Sequence, residues 1–162
     1  MSTKRDNFQL SDKKLMKLAI SLAENQKYFT GTNPSVGCVI TKNNKIISYG
    51  VTGKNGRPHA EINAINKKKT KDLNNSTMYV SLEPCTHYGK TPPCTSTLIK
   101  KKIKKVFFSH SDEDKRTKNT AKNLLDKYKI NVIKNFINNK TKNYILNMIL
   151  LEKIIFLMSS EN

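Results

Sequence analysis

The fold is decided by the stretch SLEPCTHYGKTPPC (residues 81–94) together with PHAE (residues 58–61). These segments supply one imidazole, two thiols and one carboxylate, from His59, Cys85, Cys94 and Glu61. Three nitrogen and sulfur ligands with an open fourth position are typical of a catalytic zinc site, so His59, Cys85 and Cys94 are predicted to hold Zn2+. Bound zinc brings the pKa of a water ligand to about 7, and Glu61 is predicted to be the catalytic residue that moves the water's proton.

Two plainer interpretations stay open at this point. A closed structural zinc site would need a fourth protein ligand, and His87 and His110 are the candidates. Alternatively, a histidine at a helix start, two buried cysteines and an exposed carboxylate near the positive end of a helix would need no metal at all. The placement of Glu61 two residues after His59 favours the catalytic site, because a structural site needs no proton carrier.

The order His-x-Glu followed by Pro-Cys is the signature of nucleotide and nucleobase deaminases, which carry two residues between their cysteines. Here eight residues separate Cys85 from Cys94. This longer loop resembles the zinc loop of the deaminase domain of the bifunctional riboflavin-biosynthesis deaminase/reductase. Residues 33–40 and 58–65 match the same family in order and spacing. The resemblance extends from about residue 15 to residue 132.

The resemblance implies a zinc-dependent hydrolytic deaminase of riboflavin biosynthesis. Its substrate would be 2,5-diamino-6-(5-phosphoribosylamino)pyrimidin-4(3H)-one, and its products would be 5-amino-6-(5-phosphoribosylamino)uracil and ammonia. The implied substrate contacts come from Asn33 at the pyrimidine or ribose, from His87 and Lys90 at the ribose-phosphate arm, and from Asp112 and Asp114 at the ribose. A lysine is a chemically suitable phosphate partner, so Lys90 is expected to bind the phosphate.

The chain departs from the family pattern at two places. Thr52 stands where the family often has a histidine, and residues 112–114 read Asp-Glu-Asp where the family often has Asp-Pro-Asn or Asp-Pro-Asp. Both departures concern substrate contacts, whereas the residues that carry the zinc chemistry are all in place.

Helical and strand patterns alternate along the chain after an opening helix and a hairpin. The predicted strands are 36–41, 45–51, 78–82, 106–109 and 130–133, and the predicted later helices are 59–68, about 93–101 and 117–128. This order predicts an α/β protein, a three-layer α/β/α sandwich around a mixed five-stranded sheet, and the resemblance implies the cytidine-deaminase-like fold. The predicted ligands would meet at one edge of that sheet, where open α/β sheets bind their ligands.

Apolar spacing predicts which faces of two helices are buried. In the first helix the predicted inner residues are Leu15, Leu18, Ala19 and Leu22. In the last helix they are Ala121, Leu124, Leu125 and Tyr128.

Residues 1–140 are predicted to form the deaminase domain, and residues 141–162 an apolar C-terminal helix or tail. The apolar run at 144–158 is too short and too interrupted to span a bilayer, so no membrane association is expected. Only 29 residues follow Ile133, so no reductase domain is expected. The chain would then be a stand-alone deaminase or a shortened copy.

The net charge of +18 comes from 30 basic residues, of which 27 are Lys and 3 are Arg. The chain also has 19 Asn and 15 Ile, a combination that indicates an AT-rich genome. Arginine is the residue that contacts bases and phosphates with a two-pronged geometry, so its scarcity argues against a nucleic-acid partner. A positive field would instead help to collect a phosphorylated small substrate.

Two other functions are kept as alternatives: deamination of cytosine, guanine or tRNA adenosine, and a catalytically silent relative that binds nucleic acid. The three cysteines form an odd number, and two are assigned to the metal site, which favours a reducing, cytoplasmic location. The family resemblance implies a homo-oligomer, a dimer or a tetramer.

Overall fold

The computed structural model describes residues 10–26, 29–31, 33–67, 72–112 and 114–137. The predicted tail at 141–162 lies outside these residues. Helices and strands occur in the order α1 (Leu10–Asn25), β1 (Gly37–Lys42), β2 (Lys45–Val51), α2 (Ala60–Lys67), β3 (Thr77–Leu82), α3 (Cys94–Lys100), β4 (Lys105–His110), α4 (Ala121–Lys127) and β5 (Asn131–Ile133). In the described part of the chain, no helix is both long and apolar enough to cross a bilayer.

The five strands form one mixed sheet in the order β2-β1-β3-β4-β5. Strand β1 is antiparallel to both β2 and β3, whereas β3, β4 and β5 are parallel. The hairpin between β1 and β2 turns through Asn43 and Asn44, whose φ angles are 51° and 59°. Asparagine tolerates this left-handed conformation, and a turn with two such residues matches the twist of the paired strands. The predicted mixed five-stranded sheet is therefore confirmed.

Side chains of the three central strands alternate between two apolar layers, as the period of two in a strand requires. One layer, which also holds residues of α2, α3 and α4, receives Cys38, Ile40, Met78, Val80, Val106 and Phe108. The other layer lies against α1 and receives Val39, Tyr79 and Phe107. Helices thus cover both faces of the sheet, and the predicted three-layer sandwich is confirmed.

Two glycines let helices approach the sheet closely. A Cβ at Gly37 would overlap the carbonyl oxygen of Ala19 and lie 2.9 Å from the nitrogen of Ala23 in α1. A Cβ at Gly50 would likewise overlap the backbone of α2 at Ala60 and Ala64. Because α2 lies directly on the backbone of β2, its first turn is fixed relative to the sheet edge.

The inner face of α1 agrees with the prediction at Ala19 and at Leu15 and Leu22, which pack partly buried against the same cluster, but not at Leu18. Its buried residues are Met16, Ala19, Ile20 and Ala23, whereas Leu18 is 39% exposed. The contact with Gly37 explains the difference, because the small residues Ala19 and Ala23 must face β1 and thereby turn Leu18 towards solvent. Apolar spacing alone could not show that a small residue is needed opposite Gly37, so it did not exclude Leu18 from the inner face.

The last helix is shorter than predicted. Residues 115–120 form turns, and α4 begins at Ala121. Backbone N–H groups of Asn119 and Ala121 bind the carboxylate of Glu83, which holds the preceding segment in its turn conformation. The predicted inward position of Tyr128 is wrong, since this residue follows the helix and is 57% exposed.

The glycine contact of α1 can be tested by Gly37→Ala. The new Cβ would meet backbone atoms that cannot rotate away, so the free energy of unfolding should fall by about 1–3 kcal/mol or more. Gly89→Ala is the matched control, because a Cβ there would lie 3.4 Å from the end of the flexible Arg57 side chain. Urea denaturation of both variants measures the difference, and equal stabilities would contradict the proposed close contact.

Candidate metal and substrate site

Three structural elements bring the predicted ligands to one edge of the sheet. His59 immediately precedes α2, and its carbonyl oxygen accepts the N–H of Asn63 at 3.0 Å, which makes His59 the N-terminal cap position of the helix. Cys85 lies three residues after the end of β3, and Cys94 is the first residue of α3. The side chains therefore converge from two helix starts and one strand end.

The possible ligand atoms of His59, Cys85 and Cys94 all lie within 4.8 Å of one another. The Nδ1 atom of His59 is 3.3 Å from the sulfur of Cys94 and 3.6 Å from that of Cys85. Nδ1 is thus the imidazole atom that faces both thiols, which assigns the metal-facing nitrogen of the ring. In the described part of the chain, no other cluster of three such side chains meets this criterion.

Backbone hydrogen bonds close the loop between the two cysteines. The N–H of Cys94 donates to the sulfur of Cys85 at 3.2 Å. Thr95 donates to the carbonyl oxygen of Cys85 twice, from its N–H at 3.3 Å and from its hydroxyl at 3.1 Å. The start of α3 therefore positions Cys85 as well as Cys94, although eight residues separate them.

The two thiols affect each other's ionisation. Hydrogen bonding from Cys94 and then from His59 lowers the pKa of Cys85 to about 4, despite its burial. The hydrogen bond to Cys85, followed by burial, raises the pKa of Cys94. The hydrogen bond to Cys85 also raises the pKa of His59. Without a metal, these directions favour a thiolate at Cys85 stabilised by its two neighbours, and a bound cation would draw both thiols towards the thiolate form.

Glu61 lies in the first turn of α2 and is 3% exposed. Burial raises the pKa of its carboxyl group above the usual range, whereas a hydrogen bond from its own backbone N–H acts in the opposite direction. Proximity to the carboxyl group of Glu61 also raises the pKa of Cys94, after the effects of Cys85 and burial. A buried carboxyl group beside a cluster of metal-binding side chains can accept and return a proton, because its charged form is not strongly favoured.

The donor set fits zinc. One imidazole nitrogen and two sulfurs provide three ligands, and they leave a fourth position on the side of the cleft. The two histidines considered as a fourth ligand make other contacts. The Nδ1 atom of His87 is hydrogen-bonded to Thr117 at 2.9 Å. The Nδ1 atom of His110 is 2.8 Å from the hydroxyl of Ser109. Neither histidine belongs to the cluster, so the arrangement matches an open site.

A cleft of about 190 Å³ opens over the cluster. Its lining includes four of the five residues predicted to contact substrate, namely Asn33, His87, Asp112 and Asp114. Lys90 is exposed and is not part of the lining. The lining also includes four residues that sequence reasoning did not assign to the site: Thr52, Arg57, Glu83 and Arg116.

Asn33 is held by the turn that precedes α2. Its side-chain amide donates to the carbonyl oxygen of Asn55 at 3.4 Å. Gly56 has a φ of 84°, and a Cβ there would overlap the side chain of Asn33. Thr52 is 2% exposed, and its hydroxyl accepts the N–H of Val36 at 2.9 Å. Thr52 therefore joins the end of β2 to the segment that carries Asn33, which is a structural task visible only in the folded chain.

The acidic segment after β4 forms the opposite wall of the cleft. Asp114 accepts two hydrogen bonds at 2.9 Å from Arg116, one from its backbone N–H and one from its Nε. Hydrogen bonding to Arg116 holds the pKa of Asp114 well below its usual range. The imidazole Nε2 of His87 lies 4.0 Å from the same carboxylate. Asp114 is thus ionised and already paired on the rim of the cleft.

The buried carboxylate of Glu83 organises this wall by binding its backbone N–H groups. Its carboxylate is 3% exposed and accepts the backbone N–H groups of Asp112 at 3.2 Å, Asn119 at 3.0 Å and Ala121 at 3.0 Å. A buried carboxylate with three backbone donors is stable without a cationic partner. Its position directly before Pro84-Cys85 couples the metal loop to the acidic wall. The sequence could have pointed to Glu83 only through its position as a glutamate directly after an apolar strand.

Residues 10–110 match the family model described as "Cytidine and deoxycytidylate deaminase zinc-binding region". The chain is 48% identical over 62% of its length to the riboflavin biosynthesis protein RibD of Aquifex aeolicus, of which it spans 28%. It is 41% identical over 80% of its length to the diaminohydroxyphosphoribosylamino-pyrimidine deaminase of Buchnera aphidicola from Acyrthosiphon pisum, of which it spans 87%.

The fold of the chain is also similar to that of a solved structure. The chain superposes with a TM-score of 0.73 and 35% identity on the diaminohydroxyphosphoribosylaminopyrimidine deaminase/5-amino-6-(5-phosphoribosylamino)uracil reductase of Thermotoga maritima. The superposition covers 82% of this chain and 38% of the Thermotoga chain. The chain therefore spans about a third of the length of the longer relatives and most of the length of the Buchnera protein.

The role of Glu83 can be tested by Glu83→Gln. The amide retains one acceptor but turns an NH2 donor towards backbone N–H groups, so the free energy of unfolding should fall by about 1.5–3 kcal/mol. Hydrogen exchange should show faster exchange at the amides of Asn119 and Ala121. Glu24→Gln makes the same chemical change in α1 and serves as the control. Equal effects of the two substitutions on stability and exchange would show that Glu83 does not organise the acidic wall.

Proposed function

The chain belongs to the cytidine and deoxycytidylate deaminase family, and on this basis we propose that it deaminates 2,5-diamino-6-(5-phosphoribosylamino)pyrimidin-4(3H)-one. The products are 5-amino-6-(5-phosphoribosylamino)uracil and ammonia, a step of riboflavin biosynthesis. The observation that carries the proposal is the convergence of His59, Cys85 and Cys94 within 4.8 Å beside the buried Glu61. The name of the Buchnera relative, of which the chain spans 87%, supports the choice of substrate.

His59, Cys85 and Cys94 hold the zinc ion in this proposal, through Nδ1 of the imidazole and the two sulfurs. Zinc supplies Lewis acidity, which brings the pKa of a water ligand to about 7. The backbone N–H of Cys94 donates to the sulfur of Cys85 at 3.2 Å and so orients one of the ligands. Such contacts to metal ligands fix their direction and tune their basicity.

Glu61 carries the proton in the reaction. It takes a proton from the attacking water and passes it to the exocyclic nitrogen of the ring. The carbon–nitrogen bond then breaks, ammonia leaves, and the ring carbon keeps the oxygen of the water. The burial of Glu61 suits both steps, because the raised pKa of its carboxyl group lets it hold the proton between them.

The walls of the cleft orient the rest of the substrate. Asn33 offers an amide at one wall, and Asp112 and Asp114 offer carboxylates at the other, where ribose hydroxyls can donate to them. His87 lies beside Asp114 in the loop between the two cysteines. The ring therefore lies over the metal cluster with the ribose between the two walls.

We also propose that the protein is a cytoplasmic homo-oligomer. The edge strand β2 exposes Ile46 and Tyr49, each 51% exposed, and an edge strand with apolar side chains is a natural surface for contact between copies. The odd number of cysteines, two of them in the metal site, supports a reducing compartment.

The substrate is tested with a panel. Purified zinc-loaded protein is assayed for ammonia release from the diaminopyrimidine ribotide, from cytidine and deoxycytidine monophosphates, and from guanine. Turnover of the ribotide at least about a hundredfold above the others is expected, a preference on the scale of a few specific hydrogen bonds. Turnover of a cytosine nucleotide alone would assign the site to a different member of the family.

The metal ligands are tested by zinc content. The wild-type chain should hold about one zinc ion, and Cys94→Ser should lose it, because a serine hydroxyl is a far weaker ligand than a thiolate. Cys38→Ala is the matched control: Cys38 is the third cysteine, fully buried in the core and not a member of the ligand cluster, and the variant should retain zinc. Inductively coupled plasma mass spectrometry on dialysed protein gives the stoichiometry. Zinc retained by Cys94→Ser would remove this residue from the ligand set.

The proton carrier is tested by Glu61→Gln. The amide cannot accept and return a proton, so the rate of ammonia release should fall about 10²- to 10⁴-fold while the zinc content is unchanged. Glu24→Gln should keep full activity. Steady-state kinetics and metal analysis on the same samples separate the loss of chemistry from the loss of metal. Undiminished turnover by Glu61→Gln would contradict the assigned role.

A further inference from the structure

We propose that Arg57 binds the phosphate group of the ribotide and thereby makes the site select phosphorylated over unphosphorylated substrates. This inference rests on the proposed function, since it names the residue that holds one end of the proposed substrate.

Arg57 lies at the mouth of the cleft. It precedes the ligand His59 by two residues and belongs to the cleft lining. Its Nη1 donates to the hydroxyl of Thr91, which lies in the loop between the two cysteines. Its Nη2 would lie 3.4 Å from a Cβ at Gly89, an ordinary contact distance, so the guanidinium lies next to this part of the same loop. The side chain thus spans from the turn before α2 to the metal loop.

The guanidinium of Arg57 is not used in an ion pair with a carboxylate of the cleft. The carboxylate of Glu83 is satisfied by three backbone N–H groups, and that of Asp114 is paired with Arg116 at 2.5 Å. Among the ion pairs of the described residues, none includes Arg57. A guanidinium has five N–H donors, and Thr91 accepts from only one of its nitrogens. The remaining donors can bind an anion in the cleft.

Two other cations are less suited to this role. Lys90 was the phosphate partner expected from the sequence, but it is exposed and outside the cleft lining. Arg116 lines the cleft, but its Nε and Nη2 both donate to Asp114. Arg57 combines a position in the lining with free donors, and its planar fork matches the geometry of phosphate oxygens.

The order of the groups along the proposed substrate agrees with this assignment. The reacting amine must lie at the metal cluster beside Glu61, and the phosphate is at the far end of the ribose. The far end of the molecule therefore reaches the rim, where Arg57 lies. The use of arginine is also selective: among the described residues both arginines line the cleft, and none of the lysines does.

The test compares the ribotide with its dephosphorylated ribonucleoside. In zinc-loaded full-length protein, Arg57→Ala should raise the KM for the ribotide about 10- to 100-fold, the effect of losing charge-assisted hydrogen bonds, with little change in kcat. The kcat/KM for the ribonucleoside should be unchanged. Arg57→Lys should recover only part of the ribotide KM, because an ammonium group lacks the two-pronged geometry.

Lys54→Ala is the matched control, since it removes one exposed positive charge from the same turn but outside the cleft lining. It should leave both substrates unaffected. Equal losses for ribotide and ribonucleoside in Arg57→Ala, or an unchanged ribotide KM, would overturn the assignment. An effect of Lys54→Ala as large as that of Arg57→Ala would also overturn it, because the general positive field would then explain the affinity for the phosphate.

A second measurement separates this inference from the proposed reaction. If the wild-type protein releases ammonia from neither compound, the proposed reaction is wrong, and binding then decides the role of Arg57. Isothermal titration calorimetry with uridine monophosphate and with uridine should show tighter binding of the monophosphate by the wild-type protein. Loss of that preference in Arg57→Ala would support the phosphate site. The same preference in both proteins, or no preference in the wild type, would refute it.

Discussion

The close contact between β2 and α2 is the constraint on which the site depends. Gly50 has no side chain, so the backbone of α2 at Ala60 and Ala64 lies directly on the strand. This contact fixes the first turn of α2, and with it His59 and Glu61, relative to the sheet edge. Cys85 reaches the same edge from the end of β3, which is separated from β2 by β1. Ligands that are 26 and 35 residues apart in sequence therefore meet because rigid elements deliver them.

Buried carboxylates extend this arrangement from the metal cluster to the cleft walls. Glu61 is buried among His59 and the two thiols, where burial keeps its carboxyl group ready to hold a proton. Glu83 is equally buried, but three backbone N–H groups stabilise its charge. The same chemical group is therefore proposed to carry a proton at one position, and it organises a loop at the other. The difference lies in whether fixed donors surround the carboxylate.

The strongly basic composition has different meanings in different parts of the molecule. Most lysines in the described part of the chain lie on a solvated surface, where their charges are screened and contribute a general field. In the cleft, the cations are arginines with defined partners, Arg116 with Asp114 and Arg57 with Thr91. A general field can attract a phosphorylated molecule, whereas only directed donors can hold it in one orientation. The net charge of +18 is thus compatible with a small anionic substrate.

The sequence by itself predicted which side chains cluster at the site, and it determined the architecture. His59, Glu61, Cys85 and Cys94 were identified by residue type and spacing, and the alternation of helices and strands predicted the mixed sheet, because both signals are local. Tertiary structure decided what depends on distant contacts: the outward position of Leu18 where α1 meets Gly37, the late start of α4 over Glu83, and the position of Arg57 in the cleft instead of Lys90. Local patterns specify which side chains are present and in which element, but only packing sets where each side chain points. The positions of the side chains in the cleft could therefore not be predicted from the sequence, because they depend on tertiary packing.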